Sequence, residues 1–227
     1  MKILAVDTAS KSCSVSILNE EKIFAEISNG SGETHSKHLM GMIESAIRSS
    51  GFSKKDLDAY AVSIGPGSFT GLRIGISTVK GLSEASGKPA AGVSSLDALA
   101  FGFSASNLLI CSMLDAKRKE VYFSCNRFRD GVMTRVVEEG VMDPGRVASA
   151  IKEPCLFVGD GSMVYRKVIS ENAAEEVFFA QPERNAIHAA NVGYLGMKKI
   201  QKGEAHEKRL VLRYIRKCDV EIKKGGF

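Results

Sequence analysis

Ser63-Ile64-Gly65-Pro66-Gly67-Ser68-Phe69-Thr70-Gly71-Leu72-Arg73-Ile74-Gly75 joins the end of an apolar run to the start of a helix through a glycine-rich turn. Gly65 and Gly67 can take backbone conformations closed to other residues, Pro66 stiffens the bend between them, and Ser68 or Thr70 can cap the helix that follows. A turn of this kind exposes backbone N–H groups, so it can cradle an anion or pack tightly. It is not a P-loop, because Leu72-Arg73 stands where a Lys-Ser/Thr pair should follow the last glycine.

Outward from this turn the chain reads as strands and helices in a repeated order. Lys2–Val6, Cys13–Leu18 and Ile23–Ile27 are three short strands close enough to form hairpins, the second alternating Cys13, Val15 and Ile17 against Ser12, Ser14 and Ser16. A helix is expected from about Ser36 to Ser50, stopped by Gly51, then a buried strand over Tyr60–Ile64 and a second helix over Thr70–Ser86. Lys88-Pro89 breaks that helix, Ala90–Val93 can return to the sheet, and Ser94-Ser95-Leu96-Asp97 opens a further helix. From Asn107 the order starts again: strands Leu108–Leu114, Val121–Arg127 and Thr134–Val141, helix Pro144–Ile151, strand Leu156–Val158 ending in Gly159-Asp160-Gly161, helix Met163–Ile169, strand Val177–Phe179 and helix Ala186–Ile200. Each half places an aspartate at the end of its first strand (Asp7, Asp115) and a glycine turn after its fourth (Gly65, Gly159).

This duplicated plan predicts an α/β protein of two ribonuclease-H-like lobes with mixed sheets. By analogy that is the architecture of actin, sugar kinases and Hsp70, whose halves face each other across a nucleotide cleft. The lobes are expected over residues 1–103 and 104–203, the final helix packing back on the first lobe, with a basic tail over 204–227. Composition agrees with a globular chain: 227 residues, 44% hydrophobic and 25% charged. The first apolar run ends at Asp7, too short for a signal peptide, and no segment reaches membrane-span length. Five cysteines without a CxxC pair suit a reducing cytoplasm better than a disulfide framework. The net charge of +5 sits at the end: residues 198–224 hold ten Lys/Arg against four acids, leaving 21 basic and 22 acidic residues elsewhere. Such a segment can draw in RNA phosphates or an acidic protein surface, or remain a solvated tail.

The signature turn, with Ile3-Leu4-Ala5-Val6-Asp7-Thr8-Ala9, His35-Ser36, Asp115-Ala116-Lys117-Arg118 and Glu120-Val121-Tyr122, closely resembles the TsaB (YeaZ) family. These are bacterial, glycoprotease-like subunits of the machinery for the tRNA modification threonylcarbamoyladenosine. The likeness covers most of residues 1–125 and continues in Gly159-Asp160-Gly161 and Tyr214-Ile215-Arg216-Lys217, without a proline shortly before the tyrosine. It implies a noncatalytic subunit that binds the threonylcarbamoyl transferase TsaD through its first two helices, or a second copy of itself when TsaD is absent. A TsaE-like ATPase is a further implied partner. Contact with tRNA runs through the complex, at adenosine 37 of ANN-decoding tRNAs, and no cofactor is implied.

The residues themselves leave three chemistries to weigh. A nucleotide site would use the turn after Asp7, but Asp7-Thr8-Ala9-Ser10-Lys11-Ser12 has no glycine, and neither has Asp115-Ala116-Lys117-Arg118-Lys119. Asp7, Thr8, Asp115 and Gly159 are weak candidates for cofactor binding, and an active ATPase or small-molecule kinase is the alternative to a partner subunit. A metallopeptidase has only His35 and His38 near each other, and a metal needs a third protein ligand. Ser68 is not in a nucleophile elbow. The helices offer more. Gly71, Gly75, Thr78, Gly81 and Ala85 lie near one face of the second helix beside Leu72, Ile76 and Val79, and the first carries Leu39, Met40, Met42, Ile43 and Ile47, wider than one core stripe needs. With His35, these positions form the expected partner surface, while Gly65, Pro66, Gly67, Ser68 and Thr70 form the structural turn.

Overall fold

The computed structural model describes residues 1–30, 35–204 and 210–215. Much of the basic tail therefore lies outside the described residues, including Arg216, Lys217, Lys223 and Lys224. The first unit runs β1 (Ile3–Asp7), β2 (Cys13–Leu18), β3 (Ile23–Asn29), α1 (His35–Ser50), β4 (Ala59–Gly65), α2 (Phe69–Ser86), β5 (Ala90–Ser94) and α3 (Ser95–Phe101). The second runs β6 (Leu109–Lys117), β7 (Glu120–Arg129), β8 (Val132–Met142), α4 (Pro144–Ala150), β9 (Cys155–Val158), α5 (Asp160–Val164), α6 (Arg166–Asn172), β10 (Val177–Phe179) and α7 (Ala189–Gln201). Each unit builds a five-stranded sheet of the same plan, β3-β2-β1-β4-β5 and β8-β7-β6-β9-β10. Three strands meander antiparallel and the first strand of each unit then pairs in parallel with its fourth.

The physical reason is burial. β1 and the centre of β4 are covered on both faces, and both read as continuous apolar runs, as parallel strands flanked by helices must. β2 alternates in sequence yet is buried throughout, because α7 crosses back from the second unit and covers its serine face. There the Ala189 N–H donates to Ser14 Oγ at 3.0 Å. A Cβ at Gly193 would lie 2.4 Å from Leu18, and one at Gly196 2.5 Å from Ala61, so the small residues of α7 set its approach to the sheet. One core joins both units: Leu96 and Leu99 of α3 and Val192 and Met197 of α7 pack with Ile3, Leu4, Ile110 and Leu114. A second core lies behind the β6–β7–β9 face under α4 and α6, around Cys111, Phe157 and Ile169.

The structure departs from the sequence reading after β9. The helix expected over Met163–Ile169 is two helices broken at Tyr165, and the first begins at Asp160. Asp160 Oδ1 accepts the Asp115 N–H at 3.1 Å and Ser162 Oγ donates to the Gly159 carbonyl at 2.7 Å, which starts the helix early. The Tyr165 hydroxyl reaches back to Asp115 Oδ1 at 3.4 Å from the break.

Candidate functional site

The signature turn packs tightly. The Ser68 N–H, which could have faced an anion, donates to the Ala9 carbonyl at 2.7 Å, and Ser68 Oγ caps α2 by accepting the Gly71 N–H at 3.3 Å. Gly67 takes φ +152°, and a Cβ there would stand 2.2 Å from Ala9 O; one at Gly71 would stand 2.2 Å from Thr8 O, and one at Gly75 2.3 Å from Thr8 Oγ1. The glycines of this helix start thus let the chain close on its own first turn. His35 joins the same closure by donating from Nε2 to the Ser10 carbonyl at 2.9 Å.

Asp7 and Thr8 are consequently sealed beneath the turn, both fully buried. The Ala9 N–H donates to Asp7 Oδ1 at 3.3 Å, while Asp7 Oδ2, Thr8 Oγ1 and Ser63 Oγ lack a well-formed hydrogen bond. Burial pushes the Asp7 carboxyl up to about 7, against the pull of the Ser63 hydroxyl, the Ala9 and Thr8 N–H groups and the charge of His188.

The second unit presents its counterpart differently. Asp115 is half-buried at the end of β6 and forms an ion pair with Lys117, whose N–H also donates to Asp115 Oδ1 at 2.9 Å. Burial raises the Asp115 carboxyl, but the Lys117 ammonium, its N–H and the Tyr165 hydroxyl together outweigh that and hold it below the usual carboxylate range. Asp160 goes the other way, raised by burial despite the Asp115 N–H. Lys117, Arg118 and Lys119 all have positive φ, 62°, 55° and 63°, a left-handed run that costs non-glycine residues on the order of 1 kcal/mol each.

These two edges face each other across a cleft of about 360 Å³, lined by Ser10, Lys11, His35 and Thr70 on one side and Asp115, Lys117 and Asp160 on the other. Of the four weak cofactor candidates, only Asp115 reaches this wall. Gly159 is buried, its N–H donating to Asn185 Oδ1 at 2.6 Å. Two N–H groups of the first turn are spent within it, Ala9 donating to Asp7 Oδ1 and Ser12 to Ser10 Oγ at 3.2 Å. The cleft survives as a shape, but the Ala9, Ser12 and Ser68 N–H groups on its first edge serve the fold.

The helix surface requires a correction. Leu39, Met42, Ile43 and Ile47 of α1 and Gly71, Leu72, Gly75, Ile76 and Val79 of α2 are buried in the chain's own core, so they are not surface positions available to a partner. The apolar set is wide because α1 covers β2 and β3 while also meeting α2. Of the expected surface, Met40, Gly81 and Ala85 are exposed and His35 and Thr78 half-buried. The outward stripes are instead Lys37, Met40, Gly41, Glu44 and Arg48 on α1, and Thr70, Arg73, Ser77, Lys80, Gly81 and Glu84 on α2.

Sequence reasoning also missed the seam between the units. Arg135 of β8 pairs with Asp97 of α3, and Ser94 Oγ donates to Glu139 Oε1 at 2.5 Å. Glu139, its side chain 2% exposed, also takes Arg213 Nη1 at 3.1 Å from the segment 210–215. No motif marks these residues, since they come from three distant stretches of chain.

Together the duplicated sheets and the cleft between them define a two-lobed protein of the actin and sugar-kinase class. Component A of (R)-2-hydroxyglutaryl-CoA dehydratase from Acidaminococcus fermentans shares the fold alone, with a TM-score of 0.55 at 12% identity over 88% of this chain and 99% of that one. Residues 24–224 match the family described as TsaD, tRNA N6-adenosine threonylcarbamoyltransferase. The tRNA threonylcarbamoyladenosine biosynthesis protein TsaB of Bacillus subtilis is 28% identical over 226 residues, 98% of this chain and 97% of the relative. The structure of YeaZ from Pseudomonas aeruginosa superposes with a TM-score of 0.81 at 27% identity, covering 94% of this chain and 99% of its own. The chain belongs to this family, on its TsaB (YeaZ) branch. None of the described helices is long and apolar enough to cross a membrane.

Proposed function

We propose that this chain is a noncatalytic partner subunit that binds and stabilises a TsaD-type transferase in forming N6-threonylcarbamoyladenosine at position 37 of ANN-decoding tRNAs. The observation that carries this reading is the likeness to the TsaB protein of Bacillus subtilis along nearly the whole of both chains. The first edge of the cleft supports it, because the Ala9, Ser12 and Ser68 N–H groups there are engaged internally where a nucleotide enzyme would aim such donors at phosphate. Binding energy, rather than bond making, is then what the chain contributes: a subunit that binds only the folded, active form of its partner shifts the partner's population toward that form.

The contact face in this reading is the outward stripe of α1 together with Ser77, Lys80, Gly81 and Glu84 of α2, which leaves the Thr70–Arg73 end of α2 uncovered. Gly41 and Gly81 sit inside these helices with nothing within 4 Å of a Cβ placed on either. Each costs its helix about 1 kcal/mol relative to alanine. Nothing in the described chain requires a glycine at either site, and a closely approaching partner backbone gives the reason for both. In the partner's absence a second copy of the chain takes the same face. A TsaE-type ATPase completes the assembly, with residues 1–103 carrying the contact and 104–203 bracing it.

Size-exclusion chromatography with light scattering, on the chain alone and mixed with its cognate TsaD, tests this. Gly81→Ala should stabilise the isolated chain by about 1 kcal/mol, while Gly81→Leu and Met40→Asp should leave it folded and weaken the complex at least about tenfold, about 1.4 kcal/mol. Unchanged affinity in both folded variants would sink the face. Mg²⁺-dependent ATP turnover by the chain alone, lost in Asp7→Ala, would sink the noncatalytic role.

A further inference from the structure

The sequence places one aromatic residue, Tyr214, among the basic residues near the end of the chain. Folding brings it two companions from the signature helix. Phe69 lies with its ring centroid 5.7 Å from that of Tyr214 and the ring planes 43° apart, and the Arg73 guanidinium sits 3.7 Å from the Phe69 centroid on top of it. Phe69 is 41% exposed and Tyr214 55%. An isolated aromatic at the surface needs no explanation, but a cation stacked on one of two adjoining exposed rings is a composite surface.

The segment that carries Tyr214 is held in place. Leu210 is buried, the Arg213 N–H donates to the Ile64 carbonyl at 2.8 Å, and the Arg213 side chain reaches Glu139 of the other unit. Gly65 of the signature turn carries no side chain where the segment passes, since a Cβ there would stand 2.9 Å from Arg213 O. The platform is therefore preorganised, so a ligand has little order to impose on it. Its surroundings are basic and polar: Arg73 and Arg213 flank it, Ser68 and Thr70 are exposed beside it, and Arg216-Lys217 follow in sequence with no acid between Leu210 and Lys217. Apolar lining beside the rings is confined to a narrow cavity of about 60 Å³ between Pro66, Leu72, Tyr122, Leu212 and Ile215, far smaller than the ground a protein partner's core contact needs.

We propose that Arg73, Phe69 and Tyr214 form a stacking platform for unpaired nucleobases of an RNA loop, with Arg73 and Arg213 beside the rings meeting its phosphates. Every base has a π face, so such a platform selects unpaired over paired RNA without reading sequence, and the cations supply the salt-dependent part of the affinity. The proposal rests on the reading of the chain as a member of a tRNA-modifying assembly, and it assigns this chain a direct contact with the RNA.

The test is a fluorescence-anisotropy titration of the full-length chain, alone and with its cognate TsaD. One labelled RNA is a hairpin with an unpaired loop, the other a fully paired control of equal phosphate count, each at several salt concentrations. Tyr214→Leu and Phe69→Leu should each weaken loop binding about 5- to 20-fold, leave the paired control unchanged and preserve the slope against salt, while Tyr214→Phe keeps the loop affinity. Both rings are exposed, so these variants should fold, and equal melting temperatures check it. Equal affinity for loop and duplex, or a loop affinity unmoved by Tyr214→Leu, overturns the platform. So does loss of the TsaD complex in Tyr214→Leu with RNA binding intact, which would make the rings a protein contact. A wild-type chain that joins TsaD yet holds no loop RNA in either state overturns the platform and leaves the proposed function standing. Failure to join TsaD, with loop binding still lost in Tyr214→Leu, does the reverse.

Discussion

Asp7 and Asp115 stand at the same point in two copies of one fold, at the end of the first strand of each sheet, and their surroundings treat them in opposite ways. Asp7 is sealed beneath the signature turn and burial raises its carboxyl to about 7. Asp115 faces the cleft, and Lys117 holds it below the ordinary range even though burial works the other way. The difference lies in what closes over each strand end. In the first lobe Gly67 and Gly71 let a helix start descend onto Ala9 and Thr8. In the second, Gly161 draws the equivalent helix start against the end of β6, but Asp115 and Lys117 stay on the cleft wall, where the β6–β7 turn runs through three left-handed basic residues. Equal topology has thus produced one closed edge and one open, charged edge.

The largest effect comes from filling, one at a time, the tightest glycine at the helix start of each lobe. Gly67→Ala and Gly159→Ala each put a Cβ 2.2 Å from a backbone carbonyl oxygen, Ala9 O and Met113 O respectively, at positive φ. Each should cost about 3 kcal/mol or more, and urea unfolding followed by circular dichroism measures it. Because α3 and α7 bury one core shared by both lobes, each variant should still unfold in a single transition at a lower midpoint. Two separated transitions in either variant would break the picture of jointly stabilised lobes.

A smaller effect separates the two carboxylates. Between about pH 4 and pH 7 the native chain keeps a proton on Asp7 that the unfolded chain has released, so Asp7 makes stability fall as pH rises through that window. Asp7→Asn removes the effect. The variant should match the wild type near pH 4 and exceed it by about 2–4 kcal/mol at pH 8, and a pH-independent difference would contradict the buried, raised carboxyl. Asp115→Asn gives the smallest change and the opposite sign. Its lowered carboxyl adds stability that is present above the unfolded value and lost as pH falls through the folded one. The variant should lose less than about 1 kcal/mol at neutral pH, since the Lys117 partner is largely exposed, and lose nothing in strong acid.

The lobes differ in legibility for the same reason. The meander, the parallel strands and the helices of the first unit are local patterns: an apolar run ended by Asp7, a helix ended by Gly51, a turn built on Gly65-Pro66-Gly67. The early start of α5 and its break at Tyr165 were not legible, because Asp160 and Tyr165 both act on Asp115, some 45 and 50 residues earlier. Nor was the burial of Leu39, Ile43, Leu72 and Val79. Apolar spacing places residues on one helix face but does not say whether sheet, neighbouring helix or partner covers it. The glycines of α2 divide in the same way, Gly71 and Gly75 pressed against Thr8 and Gly81 against nothing in the described chain.

By itself the sequence determined the order of elements, the duplicated plan, the identity of the turn that joins β4 to α2, and the family those residues resemble. Such features depend on backbone preference and on the period of apolar residues, both of which act between near neighbours. Tertiary structure alone decided which backbone donors remain for a ligand, which helix faces are outward, how Glu139 gathers Ser94, Arg135 and Arg213 at the seam, and that Phe69 meets Tyr214. Each of these depends on groups from distant stretches arriving at one place, and only the packing of the two sheets around a shared core brings them there.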